Sequence, residues 1–312
     1  MNGDTLDRAA SILRSACGDR VRTGFALAPI TTFRIGGPAA IYLEPDSEGD
    51  LVAASRALRD TGVPVSVLGK GSNVLVADEG FPGLVLRLGR GFRWAAREGE
   101  TLKAGGAMPL PALAGVALRH ELAGLSFGVA IPATLGGAVR MNAGAHGHEM
   151  ADVVEHVKVF HLDTGESATV PAPEIGFSYR SSLLPPDAVV VVATVHLASG
   201  EAAEIRGAMD EAREWRRRTQ PLAEPNCGSV FKNPSDGPAA AQLIEEAGAK
   251  GLREGGASVS TKHANFIVAA EGARASDVVA LIDRVQEMVE RGTGIRLEPE
   301  VRLIGGGAHV SA

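Results

Sequence analysis

The sequence predicts an α+β or mixed α/β protein with a larger N-terminal part and a smaller C-terminal part. Helical and strand-like patterns alternate along most of the 312 residues, of which 45% are hydrophobic and 22% charged. A strand-rich stretch covers residues 153–197, and a helical pattern over about 201–218 is predicted to link two domains. The length is enough for two or three domains with cores of their own.

The N-terminal part is predicted to open with an amphipathic helix over residues 4–17 and to continue as a β-α-β unit. Ser47 and Asp50 resemble the start of a capped helix, and Gly62 is placed to end it. Asp163-Thr164-Gly165 predicts a turn between two strands. In this part, strands are predicted over 40–43, 63–68, 74–76, 84–88, 153–160, 167–170 and 189–197, and a further helix over 109–121.

The C-terminal part is predicted to mix helices and strands after the long linking helix. Its helices are predicted over residues 238–249 and 276–291. Its strands are predicted over residues 257–260, 265–269 and 295–304.

Charge and composition exclude several classes of function. The formal net charge of -6 argues against general nucleic-acid binding, which favours basic surfaces. Four arginines on the long helix form either a solvated face or a phosphate-facing cluster: Arg213, Arg216, Arg217 and Arg218. Two cysteines and eight histidines without metal spacing predict neither a disulfide framework nor a metal site. We see no signal-peptide pattern and no bilayer-length apolar run, so we expect a cytoplasmic protein that does not bind membranes.

The loop Gly69-Lys70-Gly71-Ser72-Asn73 follows a predicted strand. Glycines let successive amide N–H groups point inward, and such a row of donors binds phosphate oxygens; Ser72 and Asn73 can add donors. A Rossmann site needs a helix directly after the loop, but here a strand is predicted, so we reject that interpretation. A glycine turn without a ligand is the alternative.

A second segment, over residues 128–145, is dominated by glycine and alanine. Small residues let the backbone lie against a flat, extended ligand, although tight packing of helices or strands also selects them. Two such segments about sixty residues apart favour one dinucleotide that spans both.

Polar residues that could meet a ligand follow these segments. Arg180 lies among hydroxyl residues, and its planar fork suits a carboxylate or phosphate, with a surface salt bridge as the alternative. Ser229, Lys232 and Asn233 lie between a glycine and a proline, which is typical of a ligand-facing loop. Glu300 lies in a strand-like run, where a solvated carboxylate is the ordinary outcome. Cys227 could be a reactive thiol or an incidental loop cysteine.

Six short motifs in order resemble the UDP-N-acetylenolpyruvoylglucosamine reductase (MurB) family, in its shorter form. The resemblance extends from Thr31 to Arg302. The motifs are residues 68–73, Ile131-Pro132 with Gly136-Gly137, Met141-Asn142-Ala143-Gly144, Tyr179-Arg180, residues 228–234 and residues 262–266.

The resemblance implies a fold and an activity. Residues 1–31 would form an N-terminal helix and lead-in, residues 32–200 an FAD-binding domain of the vanillyl-alcohol oxidase (PCMH) type, and residues 205–304 a smaller α+β substrate-binding domain. The implied reaction is the NADPH-dependent reduction of UDP-N-acetylglucosamine enolpyruvate to UDP-N-acetylmuramate through FAD, in peptidoglycan precursor synthesis. A monomer is expected. The runner-up hypotheses are another FAD oxidoreductase of the same superfamily and a non-catalytic nucleotide-binding module.

The resemblance also implies roles for individual residues. Arg180 and Glu300 match the positions that stabilise the substrate carboxylate, and Ser229 matches the proton donor. Substrate contacts are expected from Tyr179, Lys232 and Asn233. Ala130 and Ala133 replace family glycines, and Arg140 and His146 stand where aromatic residues are expected. Cofactor contacts are expected from Gly69, Lys70, Gly71, Ser72, Asn73, Ile131, Pro132, Thr134, Gly136, Gly137, Asn142, Gly144 and Ala145.

Overall fold

The computed structural model describes residues 3–306, which divide into two compact units. Within the described residues, unit 1 consists of residues 3–24, 40–70 and 82–216. Unit 2 consists of residues 25–39, 71–81 and 217–306. Unit 2 therefore takes two segments from the N-terminal part of the chain, and the last boundary between the units, after Arg216, falls inside the long helix α6 (Ala202–Thr219). The continuous domain boundaries at 1–31, 32–200 and 205–304 stay a prediction.

Helices and strands alternate along the whole described chain. The helices are α1 (Gly3–Cys17), α2 (Glu48–Thr61), α3 (Leu110–Arg119), α4 (Leu135–Arg140), α5 (Ala172–Ile175), α6 (Ala202–Thr219), α7 (Ala240–Glu246) and α8 (Ala275–Thr293). The strands up to residue 123 are β1 (Val21–Ala26), β2 (Pro38–Leu43), β3 (Val65–Val67), β4 (Val74–Val76), β5 (Phe81–Leu86), β6 (Ala95–Glu98), β7 (Thr101–Gly105) and β8 (Leu122–Ala123). The later strands are β9 (Gly144–Ala145), β10 (His148–Glu149), β11 (Val154–His161), β12 (Ser167–Pro171), β13 (Ala188–His196), β14 (Ala198–Ser199), β15 (Arg253–Glu254), β16 (Ala257–Val259), β17 (Ile267–Ala269) and β18 (Arg302–Ile304). No helix within residues 3–306 is long and apolar enough to cross a membrane.

Unit 1 is built on two sheets, one of order β1-β2-β5-β3 and one of order β12-β11-β13-β7-β6. Strand β13 is central in the second sheet and is buried along nearly its whole length. Because neighbouring side chains on a strand point to opposite faces, Val189 and Val191 join one hydrophobic core while Ala188 and Val190 join another. The near-continuous valine run of β13 is therefore what a strand between two cores requires.

Unit 2 has a three-stranded sheet of order β15-β16-β17, on which α8 packs. Strand β18 pairs in parallel with β4, so that Arg302 lies opposite Val74. One hydrophobic core includes Phe33 from the N-terminal part and Val278 from α8, both buried. The interleaved segments of unit 2 thus share one core.

Several sequence predictions are confirmed. The helix over 4–17 is α1, the strand after the glycine loop is β4, and the turn at Asp163–Gly165 joins β11 to β12. Ser47 caps α2: its hydroxyl accepts from the Asp50 amide at 3.2 Å, and the Asp50 carboxylate accepts from the Ser47 amide at 3.1 Å. Gly62 ends the same helix in the left-handed region, with φ of 65°.

Other predictions are wrong in extent. The strand predicted over 295–304 is confined to β18, because Pro299 has no amide proton and the neighbouring backbone pairs instead with the Ser229 loop. The helix predicted over 238–249 is confined to α7, since Asn233 caps it at Ala240 and Gly248 (φ 71°) takes a left-handed conformation after it. The β6–β7 hairpin was not predicted at all.

Replacing Ser47 with Ala is expected to lower the free energy of unfolding by about 1 kcal/mol, because the Asp50 amide loses its acceptor. Urea denaturation measures the change. Ser11→Ala, at an exposed position within α1, is the matched control and should leave the midpoint unchanged. Equal midpoints for Ser47→Ala and Ser11→Ala would contradict the capping role.

Candidate active site

Unit 1 contains a small open cleft beside the end of β3. Gly69 borders it, two residues after β3 ends. A Cβ atom at Gly69 would lie 2.8 Å from Oγ1 of Thr134, so only glycine lets these two segments approach so closely. The lining residues are Val67, Leu68, Gly69, Arg87, Leu88, Gly106, Ala107, Thr134, Gly136, Gly137, Arg140, Ala188, Val189 and Val190.

The glycines of the second segment both allow close packing and line the cleft. Thr134 caps α4 by accepting from the Gly137 amide at 3.3 Å, and both residues line the cleft. Gly136 donates to the Gly106 carbonyl at 2.9 Å, and a Cβ there would lie 3.0 Å from the Val190 carbonyl oxygen. Close packing and access to the cleft therefore both select small residues here. Ile131 and Pro132 lie half-buried just before α4.

The loop over residues 69–73 carries a run of uncommitted amides. None of its backbone N–H groups donates a hydrogen bond to another residue within 3–306, whereas the Gly71 carbonyl accepts from the Thr32 amide at 2.9 Å. Such a run of donors is the type of site that binds phosphate oxygens. The division between the two units falls within this loop, after Lys70.

The segment around Asn142 holds the turn that carries Arg180. Asn142 is fully buried; its Nδ2 donates to the Ser178 carbonyl at 3.0 Å and its Oδ1 accepts from the Ala151 amide at 2.9 Å. Gly144, which begins the β9–β10 pair with Ala145, offers its carbonyl to the Arg180 guanidinium at 3.1 Å. Both polar ends of the Asn142 side chain are therefore committed to protein backbone.

Arg180 lies at the tip of a tight turn closed by a Ser178–Ser181 backbone bridge. Its φ of 56° is unusual for a residue with a side chain, and such strain is concentrated at functional sites. Its guanidinium lies 4.9 Å from the centre of the Tyr179 ring, a cation–π contact, and Tyr179 is 46% exposed. The two side chains of the Tyr179-Arg180 motif thus lie together on one turn.

Two of the four residues that depart from the family pattern, Arg140 and His146, have structural contacts in unit 1. The Arg140 guanidinium donates to the carbonyls of Leu184 at 3.2 Å, Pro185 at 2.9 Å and Ala188. The His146 ring meets the Trp215 ring edge-on, with centroids 5.1 Å apart. Arg140 therefore holds the loop before β13 as well as lining the cleft.

In unit 2, Ser229 lies between two anchored amides. Gly228, with φ of 83°, donates to Oδ1 of Asn226 at 2.9 Å, and Val230 donates to the Asn265 carbonyl at 2.9 Å. The Ser229 hydroxyl itself makes no hydrogen bond within the described residues, and the side chain is half-buried. It is therefore available to a ligand.

Glu300 is hydrogen-bonded to the Ser229 loop through the backbone of Val230. Its amide donates to the Val230 carbonyl at 2.7 Å, and its own carbonyl accepts from Nδ2 of Asn73 at 3.1 Å. Burial raises the pKa of the Cys227 thiol, which stays protonated at neutral pH. Cys227 is thus a buried core residue and not an activated nucleophile.

Lys232 and Asn233 have contacts within unit 2. The Lys232 ammonium pairs with Glu298, and the Lys232 amide donates to the Glu298 carbonyl at 2.9 Å. Oδ1 of Asn233 accepts from the Ala240 amide at 3.0 Å at the start of α7. On α6, Arg213 pairs with Asp210 at 2.8 Å as part of an exposed helix face.

One side-chain group escaped the sequence interpretation. His161, Asp163 and Asp187 place ligand atoms within 4.8 Å of one another in unit 1, although Asp187 lies more than twenty residues after the other two. Nδ1 of His161 lies 3.4 Å from Asp187. We interpret the group as a partly exposed polar cluster, because exposed acidic groups of this kind are common without a metal.

Comparison with known proteins matches family models to two parts of the chain. A model described as FAD binding domain matches residues 39–170, and one described as UDP-N-acetylenolpyruvoylglucosamine reductase, C-terminal domain, matches residues 220–304. The reductase of Heliobacterium modesticaldum is 48% identical over 88% of this chain and 88% of its own. This chain belongs to the UDP-N-acetylenolpyruvoylglucosamine reductase family.

Other relatives support that assignment. UDP-N-acetylenolpyruvoylglucosamine reductase 2 of Symbiobacterium thermophilum is 46% identical over 96% of both chains. The crystal structure of MurB from Thermus caldophilus has a TM-score of 0.80 and 40% identity, covering 91% of this chain and 100% of that one. The predicted fold, an FAD-binding domain of the vanillyl-alcohol oxidase (PCMH) type with a smaller α+β substrate-binding domain, is confirmed, and the chain is an FAD-dependent oxidoreductase.

Replacing Gly69 with Ala is expected to weaken FAD binding about tenfold, because the new Cβ would push Thr134 away from its capping position. Titration of the apoprotein with FAD, followed by flavin fluorescence, gives the affinity. Gly207→Ala in α6 is the control, since a Cβ there meets nothing within 4 Å. Unchanged affinity in the Gly69 variant would remove this loop from the cofactor site.

Proposed function

We propose that the chain reduces UDP-N-acetylglucosamine enolpyruvate to UDP-N-acetylmuramate with NADPH and FAD, in peptidoglycan precursor synthesis. The observation that carries the proposal is the arrangement at Val230 in unit 2. Ser229, whose hydroxyl has no hydrogen-bond partner within residues 3–306, directly precedes Val230, and the Glu300 amide donates to the Val230 carbonyl. An acid and a carboxylate-binding group that are tied to the same peptide suit a reaction that protonates carbon beside a carboxylate.

The residues present fit FAD. The glycine cradle at Gly69, which a Cβ would fill, and the amides of residues 69–73 would hold the pyrophosphate, and the segment from Ile131 to Ala145 would line the flavin. When bound, FAD supplies the hydride chemistry that links NADPH to the sugar nucleotide. Thr134 and Gly137, which line the cleft, are assigned to the same cofactor.

Arg180 and Glu300 are assigned to the substrate carboxylate. Reduction of the enol ether makes negative charge grow on that carboxylate, and donors already in place lower the barrier. Arg180 presents a planar cation on a turn held by Asn142 and Gly144. Glu300 can help only as the protonated acid, because a carboxylate anion would repel the growing charge.

Ser229 is assigned as the proton donor. A hydroxyl is a weak acid in neutral water, but an enolate-like carbon is basic enough to take its proton within hydrogen-bond reach. Tyr179, which is exposed, is assigned to the substrate. Lys232 and Asn233 are assigned to substrate binding as well, and their pairing with Glu298 and α7 fixes where they can act.

Ser229→Ala is expected to lower turnover by about a hundredfold to ten-thousandfold, because the carbon loses its acid. Reduction of the bound flavin by NADPH should keep its rate, since that step needs no proton from Ser229. Stopped-flow absorbance separates the two half-reactions. Ser235→Ala, at an exposed serine of the same loop region, is the control and should match the wild type.

The same assay discriminates between the candidate functions. Flavin reduction without product would favour another oxidoreductase of the superfamily, and protein that does not take up FAD would favour a nucleotide-binding module. Full product formation by the Ser229 variant would remove the proton-donor role alone.

Arg180→Lys and Glu300→Gln are expected to separate charge from geometry. Lysine keeps the charge but loses the planar fork, so kcat should fall by roughly tenfold to a thousandfold. Glutamine still donates a hydrogen bond, so Glu300→Gln should retain more activity than Glu300→Asp, whose shorter side chain does not reach. Steady-state kcat values decide, and a Glu300→Asp variant more active than Glu300→Gln would contradict donation by the protonated acid.

We also propose a cytoplasmic monomer that binds neither nucleic acid nor membranes. The support is chemical: NADPH and sugar nucleotides are cytoplasmic metabolites, and the net charge of -6 disfavours polyanions. Light scattering during gel filtration measures the mass directly, and a dimer mass would overturn the monomer.

A further inference from the structure

Asn265 has no role in the assignments above, yet it makes three hydrogen bonds to the residues that follow Ser229. It is buried, with 4% of its surface exposed. Its Oδ1 accepts from the Phe231 amide at 2.9 Å, and its Nδ2 donates to the Phe231 carbonyl at 2.8 Å. Its own carbonyl accepts from the Val230 amide at 2.9 Å.

The carboxamide reproduces the pairing that a neighbouring strand would give. An amide side chain carries one acceptor and one donor group, and here each meets one backbone group of Phe231. An aspartate could accept from the Phe231 amide but would place negative charge against its carbonyl. An apolar residue would leave two buried backbone groups unpaired. The asparagine carboxamide therefore satisfies both backbone groups of Phe231 at once.

Asn265 is itself held in place. Its amide lies 3.3 Å from Nδ1 of His263, and the Phe266 amide donates to the His263 carbonyl at 3.0 Å. Burial lowers the pKa of His263, which keeps the imidazole neutral and able to accept. The donor and acceptor of Asn265 thus project from a fixed turn between β16 and β17.

The direction of the Ser229 side chain depends on these contacts. Its hydroxyl has no partner within residues 3–306, so only the backbone on either side orients it. That backbone is anchored at Gly228 by Asn226, and at Val230 and Phe231 by Asn265. The Val230 carbonyl in turn accepts from the Glu300 amide, so a shift of Val230 would move both predicted catalytic groups of unit 2.

We propose that Asn265 is a positioning residue for proton transfer, which fixes the Ser229 hydroxyl through Val230 and Phe231. The inference rests on the proposed function, because it assigns no ligand contact to Asn265 and acts only through Ser229.

A double-mutant cycle tests the proposal on the FAD-loaded enzyme. Asn265→Ala should slow oxidation of the reduced flavin by the sugar-nucleotide substrate by about tenfold to a hundredfold, since small misplacement of a reacting group has effects of that size. The rate of flavin reduction by NADPH should not change. In a Ser229→Ala background, the same substitution should cause no further loss, because the group it positions is gone.

Two further measurements distinguish a positioning role of Asn265 from a general loss of stability. Val278→Ala, in the same core, gives a destabilised control that should show no selective loss of the oxidation step. Amide hydrogen exchange should accelerate at Phe231 in Asn265→Ala and not in Val278→Ala. If Asn265→Ala does not fold with bound FAD, Asn265→Asp takes its place, with the same expected selectivity.

The outcomes are distinct. An Asn265 effect of equal size in the presence and absence of the Ser229 hydroxyl, or equal slowing of both half-reactions, would overturn the positioning role. No product from the wild-type enzyme would instead overturn the proposed function. An active Ser229→Ala variant would overturn both the proton-donor assignment and the inference built on it.

Discussion

The peptide of Val230 is the constraint on which the reactive part of unit 2 depends. Its N–H is held by the Asn265 carbonyl, and its carbonyl is held by the Glu300 amide. Ser229 precedes this peptide, and Phe231 after it is paired on both sides of its backbone by the Asn265 side chain. The Ser229 hydroxyl has no hydrogen-bond partner within residues 3–306. It can act as an oriented acid only because hydrogen bonds hold the backbone on both sides of it in place.

A buried asparagine with side-chain hydrogen bonds to the backbone likewise supports Arg180, the predicted catalytic residue of unit 1. Asn142, buried and bonded to the Ser178 carbonyl and the Ala151 amide, supports the turn of Arg180. In each unit a buried asparagine thus takes the place of a strand partner for an irregular loop. Loops satisfied in this way can present strained residues, such as Arg180 with its φ of 56°, without losing backbone hydrogen bonds.

Much of this arrangement could be predicted from the sequence where the signal is local. The cap at Ser47, the end at Gly62 and the strand after the glycine loop all depend on neighbouring residues, and each is confirmed. The strand predicted over 295–304 is wrong in extent because its partner, the Ser229 loop, lies about seventy residues earlier in the chain. Asn265 lies in a motif that supported only the family resemblance. Its role depends on contacts across 34 residues, which no periodicity reveals.

The central claim is that Ser229 delivers one proton to one face of the reduced substrate. Single turnover in D2O, with NMR analysis of the product, tests it most directly. The account predicts deuterium in one configuration at the carbon beside the carboxylate, and loss of this product in Ser229→Ala. Deuterium in both configurations, or an unchanged product from Ser229→Ala at the wild-type rate, would contradict it.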